Sequence, residues 1–311
     1  MGKIAFVFPG QGSQAVGMGK ALADAFPEAK QVFEAADDAL GEKLSTLCFE
    51  GPEEALKLTA NTQPAILTVS AAAHAVFSKR APKPDFAAGH SLGEYSALVA
   101  VGAMKLSDAV RSVRARGTFM QEAVPAGVGK MAAVLMLPSQ KVKEICETIS
   151  GAQVVSCANF NAPTQTVIAG HAAAVDKATA ELKAAGARRV IALPVSAPFH
   201  CSLMQPVVPR LEAVLKGLTF SKPSAPVITN VEAAANEDPA RIVELLLKQV
   251  TGSVRWVESV QKLEQLGVTK LVEIGPGKVL NGLCKSIAPN LECVNVEDPA
   301  SVDEALKALG G

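Results

Sequence analysis

The chain has 311 residues, 30 Lys and Arg against 30 Asp and Glu, so its formal charge is zero, and only 4% of its residues are aromatic. With 49% hydrophobic residues it is not a disordered chain, and it lacks the broad basic field that nucleic-acid binding requires. The length exceeds what one ordinary core serves, which implies a large domain with an insertion, or two domains.

No apolar stretch approaches the roughly 20 residues needed to cross a bilayer, so a soluble protein without membrane association is expected. The apolar run at residues 4–8 stops at Pro9-Gly10, too short for the h-region of a signal peptide, and Phe6 stands where a myristoylation signal needs Ser or Thr. Cys48, Cys146, Cys157, Cys201, Cys284 and Cys293 show no CxxC spacing, which argues against both a disulfide framework and a zinc site. A cytoplasmic protein without a metal is the expectation.

In chain order, residues 4–8 read as a buried strand, and residues 86–89, introduced by Pro82 and Pro84, as a second that runs straight into a helical segment. Residues 226–229, 270–274 and 292–296 read as three more. Helical patterns fall between them at 21–40, 63–77, 107–123, 241–250 and 254–266. That alternation predicts a mostly parallel sheet covered on both faces. The middle differs: residues 131–137, 139–149, 153–158, 164–169, 171–185 and 188–193 read as strand, helix, two strands, helix and strand. This is the ferredoxin-like split pattern. Pro125-Ala126-Gly127 and the stretch from Pro194 to Pro198 bracket it, so a small domain at residues 126–195 is expected inside an α/β host of residues 1–125 and 196–311. A cleft should form where the two meet.

Gly89-His90-Ser91-Leu92-Gly93 fits GxSxG where a strand gives way to a helix. One reading is a helix start with Ser91 as N-cap. The other is a nucleophile on a sharp turn, with helix-start amides ready to stabilise an oxyanion, and the strand-turn-helix context favours it. A serine needs a base, and there are four histidines. His74 lies inside an Ala-rich helix and His171 begins another, so both read as structural. His90, next to Ser91 on an extended strand, should point to the opposite face. His200, in Ser196-Ala197-Pro198-Phe199-His200 directly after the small domain, is the best candidate, against the alternative of an exposed loop histidine.

Pro9-Gly10-Gln11-Gly12-Ser13-Gln14 follows the first strand without the ending of a P-loop or the third glycine of a dinucleotide fingerprint. Gln11 is read as an oxyanion-hole donor, with a plain βα turn as the alternative. In the helix at 107–123 a wheel sets Arg116 beside Ala109, Val113 and Met120. A buried guanidinium expects a carboxylate, either internal or brought by a substrate, unless it snorkels to the surface.

Taken together, FPGQGSQ, GHSLGEYSAL, RARG, CANFNAP, SAPFH, QVTGSVRW and VEIGPGKVL, in this order over nearly the whole chain, closely resemble the malonyl-CoA:acyl-carrier-protein transacylases of bacterial type II fatty acid synthesis. The resemblance implies an α/β-hydrolase-like large subdomain with a ferredoxin-like insertion. It implies that Ser91 is the acylated nucleophile, His200 the general base and acid, and Gln11 with the backbone amide of Leu92 the oxyanion donors. Arg116 would clamp the malonyl carboxylate beside Met120. The main-chain carbonyl of Gln249 would orient the histidine in place of a triad carboxylate, Asn159 would line the cleft, and Phe199 would narrow it against branched acyl groups. Malonyl-CoA and acyl carrier protein follow as partners of a monomer, with no cofactor, since the CoA thioester is a substrate. An acidic carrier needs a basic rim, for which Arg188, Arg189, Lys278 and Lys285 are candidates. A hydrolase using the same serine, a non-catalytic carrier-binding scaffold and an acyltransferase of polyketide or polyunsaturated lipid assembly remain as rival readings.

Overall fold

A computed structural model describes residues 2–125, 127–195 and 197–310. Ala126 and Ser196, at which the expected small domain and the second half of its host begin, lie outside the described residues. Among the described residues there are ten strands: β1 Lys3–Phe8, β2 Phe86–Gly89, β3 Gly129–Leu135, β4 Val155–Ala162, β5 Gln165–His171, β6 Arg189–Ala192, β7 Val227–Ile228, β8 Ala235–Asn236, β9 Val268–Ile274 and β10 Glu292–Val296. They form two sheets.

The larger sheet runs β10-β9-β1-β2-β7-β8. Its neighbours are parallel except β7 and β8, which form a hairpin. Because both faces are covered, its central strands are apolar throughout and alternate residues enter different cores. Phe6, Phe8 and Ala87 pack with the helices Pro27–Leu40, Thr59–Phe77 and Leu106–Glu122 on one side. Ala5, Val7, Phe86 and Ala88 pack with Trp256–Gln265 and Val279–Ile287 on the other.

The smaller sheet is antiparallel throughout, in the order β4-β5-β3-β6. The chain order of strands and helices and this strand order are those of a ferredoxin-like unit carried by an α/β host, as expected. Helices Ser139–Ile149 and Ala172–Ala184 cover one face through Val142, Cys146, Val175 and Leu182. The opposite face contributes Met131, Ala158, Val167 and Ala169 to the large core, which locks the two sheets together. Among the described residues no helix is long and apolar enough to cross a membrane.

Two expectations need correction. The helix expected at 21–40 is two helices, Lys20–Ala25 and Pro27–Leu40, because Phe26 precedes proline and is extended (φ −131°, ψ 121°). The strand expected at 153–158 runs on to Ala162 with register shifts between Cys157 and Asn159 and between Phe160 and Ala162. Polar Asn159 and Asn161 interrupt its apolar signal. His171 stands at a helix start as expected, being the N-cap of Ala172–Ala184, and it also closes β5 opposite Gly129.

Gly117 sets how closely the arginine-bearing helix Leu106–Glu122 approaches Thr59–Phe77. A Cβ there would lie 2.6 Å from the Thr59 carbonyl oxygen and 2.8 Å from the Ala60 Cα, both backbone atoms that cannot swing aside. Gly117→Ala is therefore expected to cost about 1–3 kcal/mol. In urea unfolding the midpoint falls with the slope unchanged; an unchanged midpoint contradicts the close approach.

Candidate active site

β2 ends at Gly89, and the chain turns through His90 and Ser91 before entering the helix Gly93–Ala100. Ser91 has φ 53°, a left-handed conformation that a non-glycine residue adopts only under constraint. A Cβ on Gly89 would meet the Gly93 carbonyl oxygen at 1.9 Å, and one on Gly93 would meet that of Phe8 at 2.1 Å, so both positions require glycine. Asn230 clamps the turn: its Oδ1 accepts the Ser91 N–H at 2.7 Å and its Nδ2 donates to the Gly89 carbonyl at 2.6 Å. The serine stands at the carboxyl ends of β1 and β2, where parallel sheets of this class bind ligands.

His200, itself at φ 56°, lies with Nε2 2.7 Å from Ser91 Oγ and Nδ1 2.9 Å from the main-chain oxygen of Gln249. A carbonyl oxygen only accepts, so Nδ1 carries the proton and Nε2 presents its lone pair to the serine hydroxyl. Burial, then the positive charge of Arg116, lowers the imidazole pKa to about 3, which keeps it a neutral base. Gln249 therefore fills by its backbone the place a triad acid occupies elsewhere. Asp176, the aspartate of the inserted unit, is instead paired with Lys130 on an exposed helix face.

Arg116 is 1% exposed and points at the serine. Nη1 donates to Gln63 Oε1 at 2.8 Å; Nη2 donates to Gln249 Oε1 at 2.9 Å and to Ser91 Oγ at 3.2 Å. Its guanidinium carbon lies 5.7 Å from the centre of the Tyr95 ring. Neutral amides and an aromatic face thus hold the cation. Burial lowers its pKa, with Tyr95 and Glu94 opposing. Glu94, 2% exposed, is reached through Gln249, whose Nε2 donates to its Oε2 at 2.7 Å.

A cavity of about 100 Å³ opens over these groups, lined by Gln11, Ser91, Leu92, Arg116, Met120, Asn159, Phe199 and His200. Eight of the nine residues singled out in the sequence are thus gathered at one place, with Gln249 bonded to three of them, Ser91, Arg116 and His200. Met131, Leu193 and Val195 add an apolar wall from the ferredoxin-like side. The backbone N–H groups of Gln11 and Leu92 donate to no protein group among the described residues, while the Gln11 side chain is occupied by Thr59 Oγ1 at 3.2 Å. His90 keeps the alternation of β2 as expected: its ring packs edge-on against Trp256, in the core that also holds Phe86 and Ala88, with Nε2 2.8 Å from Asn161 Oδ1, and the residue also borders the cavity.

Sequence reasoning missed Gln63, Asn230 and Glu94. Glu94 stood in view three residues after the serine. Gln63 was one amide in an apolar helix, and Asn230 follows a two-residue strand with no local signal at all.

A serine activated by a buried neutral imidazole, over a parallel sheet and beside a fixed cation, defines a serine acyltransferase. The chain belongs to the acyl transferase domain family, whose pattern matches residues 5–287, and within it to the malonyl CoA-acyl carrier protein transacylases. It is 48% identical to the malonyl CoA-acyl carrier protein transacylase of Bacillus subtilis over 99% of this chain and 98% of that protein. Its structure is similar to that of an acyl-carrier-protein S-malonyltransferase from Bartonella henselae (TM-score 0.96, 46% identity, 100% of both chains). It is equally similar to a malonyl-transacylase solved with a holo type II polyketide acyl-carrier protein (TM-score 0.96, 45% identity, 98% of this chain and 99% of that one).

The depressed His200 pKa has a consequence for stability. Below the unfolded value of about 6.5 the unfolded chain binds a proton that the native imidazole refuses, so this contribution is present above pH 6.5 and is lost as pH falls toward 3. Wild type should lose stability relative to His200→Gln by up to about 1.36 kcal/mol per pH unit in that window. Parallel acid slopes of the two proteins in urea unfolding would show that the imidazole titrates normally.

Proposed function

We propose that this enzyme transfers the malonyl group from malonyl-CoA to the phosphopantetheine thiol of acyl carrier protein through a malonyl-serine intermediate, supplying fatty acid elongation. One observation carries the reading: a buried guanidinium held by neutral amides lies 3.2 Å from the nucleophile's oxygen, where it can fork the free carboxylate of a diacid acyl group. The names of the relatives support the same donor and acceptor.

The steps follow from the geometry. The malonyl carboxylate binds Arg116, and Ser91 Oγ attacks the thioester carbon while its proton passes to His200 Nε2. The imidazolium keeps its Nδ1–H on the Gln249 carbonyl, which fixes the ring but stabilises the charge less than a carboxylate does. The oxyanion forms at the Leu92 N–H and the Gln11 loop, each donor being worth roughly 100- to 1,000-fold in rate. Collapse expels the CoA thiolate, which takes the proton back from His200. The carrier thiol then attacks the malonyl ester by the reverse path, its proton going to His200 and on to the released Ser91 oxygen. Met131, Leu193, Val195 and Phe199 restrict water, which favours transfer over hydrolysis.

For the acidic carrier, Arg188 and Arg189 are exposed and share a groove with Ser286, next to exposed Lys285, whereas Lys278 is paired with Glu297. The first three are the better candidates for a docking rim.

Mass spectrometry after incubation with acyl-CoAs tests the reading. A malonyl adduct should map to Ser91 and vanish in Ser91→Ala. Added acyl carrier protein should discharge it as malonyl carrier; release of free malonate as the main product would favour a hydrolase. Arg116→Ala should lower malonyl loading by at least about 30-fold while affecting acetyl loading far less, since only the diacid loses a buried charge pair. Equal losses would make the arginine structural.

A further inference from the structure

Gln249 serves the site twice, by its main-chain oxygen on His200 and by its side-chain oxygen on Arg116. The second role depends on which way its amide faces. With the opposite orientation an NH2 would meet the guanidinium, donor against donor. The orientation is set at the far end, where Nε2 donates to Glu94 Oε2 at 2.7 Å and to the Ser91 carbonyl at 3.0 Å. The same Glu94 oxygen accepts the backbone N–H of Asn230 at 3.1 Å, and the Asn230 side chain closes the turn around Ser91. A single buried carboxylate oxygen thus joins the helix after the serine, the loop that follows β7 and the helix Ile242–Thr251. Glu94 also stands in the first turn of its helix, where the macrodipole favours an anion.

We propose that Glu94 is a positioning residue for acyl transfer: it fixes the Gln249 amide so that Arg116 meets an oxygen, and holds Asn230 so that the Ser91 turn stays closed. Burial pushes its carboxyl up to about 7, opposed by the N–H groups of Gln249 and Asn230 and by the charge of Arg116, so these partners favour the anion. Glu94 itself does not line the cavity and touches no substrate; it acts through its two partners.

Two readouts separate positioning from mere stability. The rate at which a fluorophosphonate labels Ser91 reports the serine and histidine arm. The ratio of malonyl to acetyl loading reports the Arg116 arm and rests on the malonyl reading above. In Glu94→Gln, nearly isosteric but uncharged, both are expected to fall about tenfold to a hundredfold, the range for losing a hydrogen bond to a charged group. Glu94→Asp, which keeps the anion, should recover part of each. Circular dichroism and melting temperature verify that each variant is folded, and if one does not fold the other decides. Labelling rate and loading ratio within twofold of wild type in a folded variant, with only the melting temperature lowered, overturn the proposal. Should the wild type take up no malonyl group at all, the functional reading fails, while the labelling rates still decide the role of Glu94.

Discussion

A guanidinium buried beside a serine hydroxyl is the constraint to which the rest of the site answers. Charge removed from water must be met by dipoles or by opposite charge. Here the amide oxygens of Gln63 and Gln249 meet it directly and Glu94 meets it at one remove. The same charge, added to burial, keeps His200 unprotonated and able to accept the serine proton. An acyl group with its own carboxylate would bring the cation a direct partner, so one residue links selectivity to the state of the catalytic base.

The scaffold makes this arrangement possible by close backbone contact. Gly89 and Gly93 let the serine turn press against β1, and Gly117 lets the arginine helix lie against the helix that carries Gln63. The ferredoxin-like unit adds an apolar wall instead of catalytic groups. One face of its sheet is part of the large core, so the wall is continuous with the host. A neutral carbonyl in place of a triad acid suits such a site, since another buried anion would raise the pKa of the histidine and compete with a substrate carboxylate for Arg116.

The order of strands and helices, the inserted unit, and the meeting of Ser91, His200 and Arg116 were all legible in the sequence. Each leaves a local mark: apolar runs between turn residues, GxSxG at a strand end, a histidine after a proline, an arginine on an apolar helical stripe. The helices Val207–Leu215, Val279–Ile287 and Pro299–Leu309 were not read from the sequence although helices of similar length elsewhere were, and the seven residues of Leu44–Glu50 span too few turns to show a clear period. Of the hairpin, β7 lies inside the strand read at 226–229, whereas β8, two residues long, was too short to be read.

Alone, the sequence determined the class of chemistry, since residue type and local turn geometry are short-range properties written in neighbouring letters. Tertiary structure decided how the site is held. Ser91 lies 109 positions from His200 and 139 from Asn230, and Gln249 is 155 from Glu94. Bonds across such separations depend on where the sheets set the chain, not on any signal in the neighbouring letters.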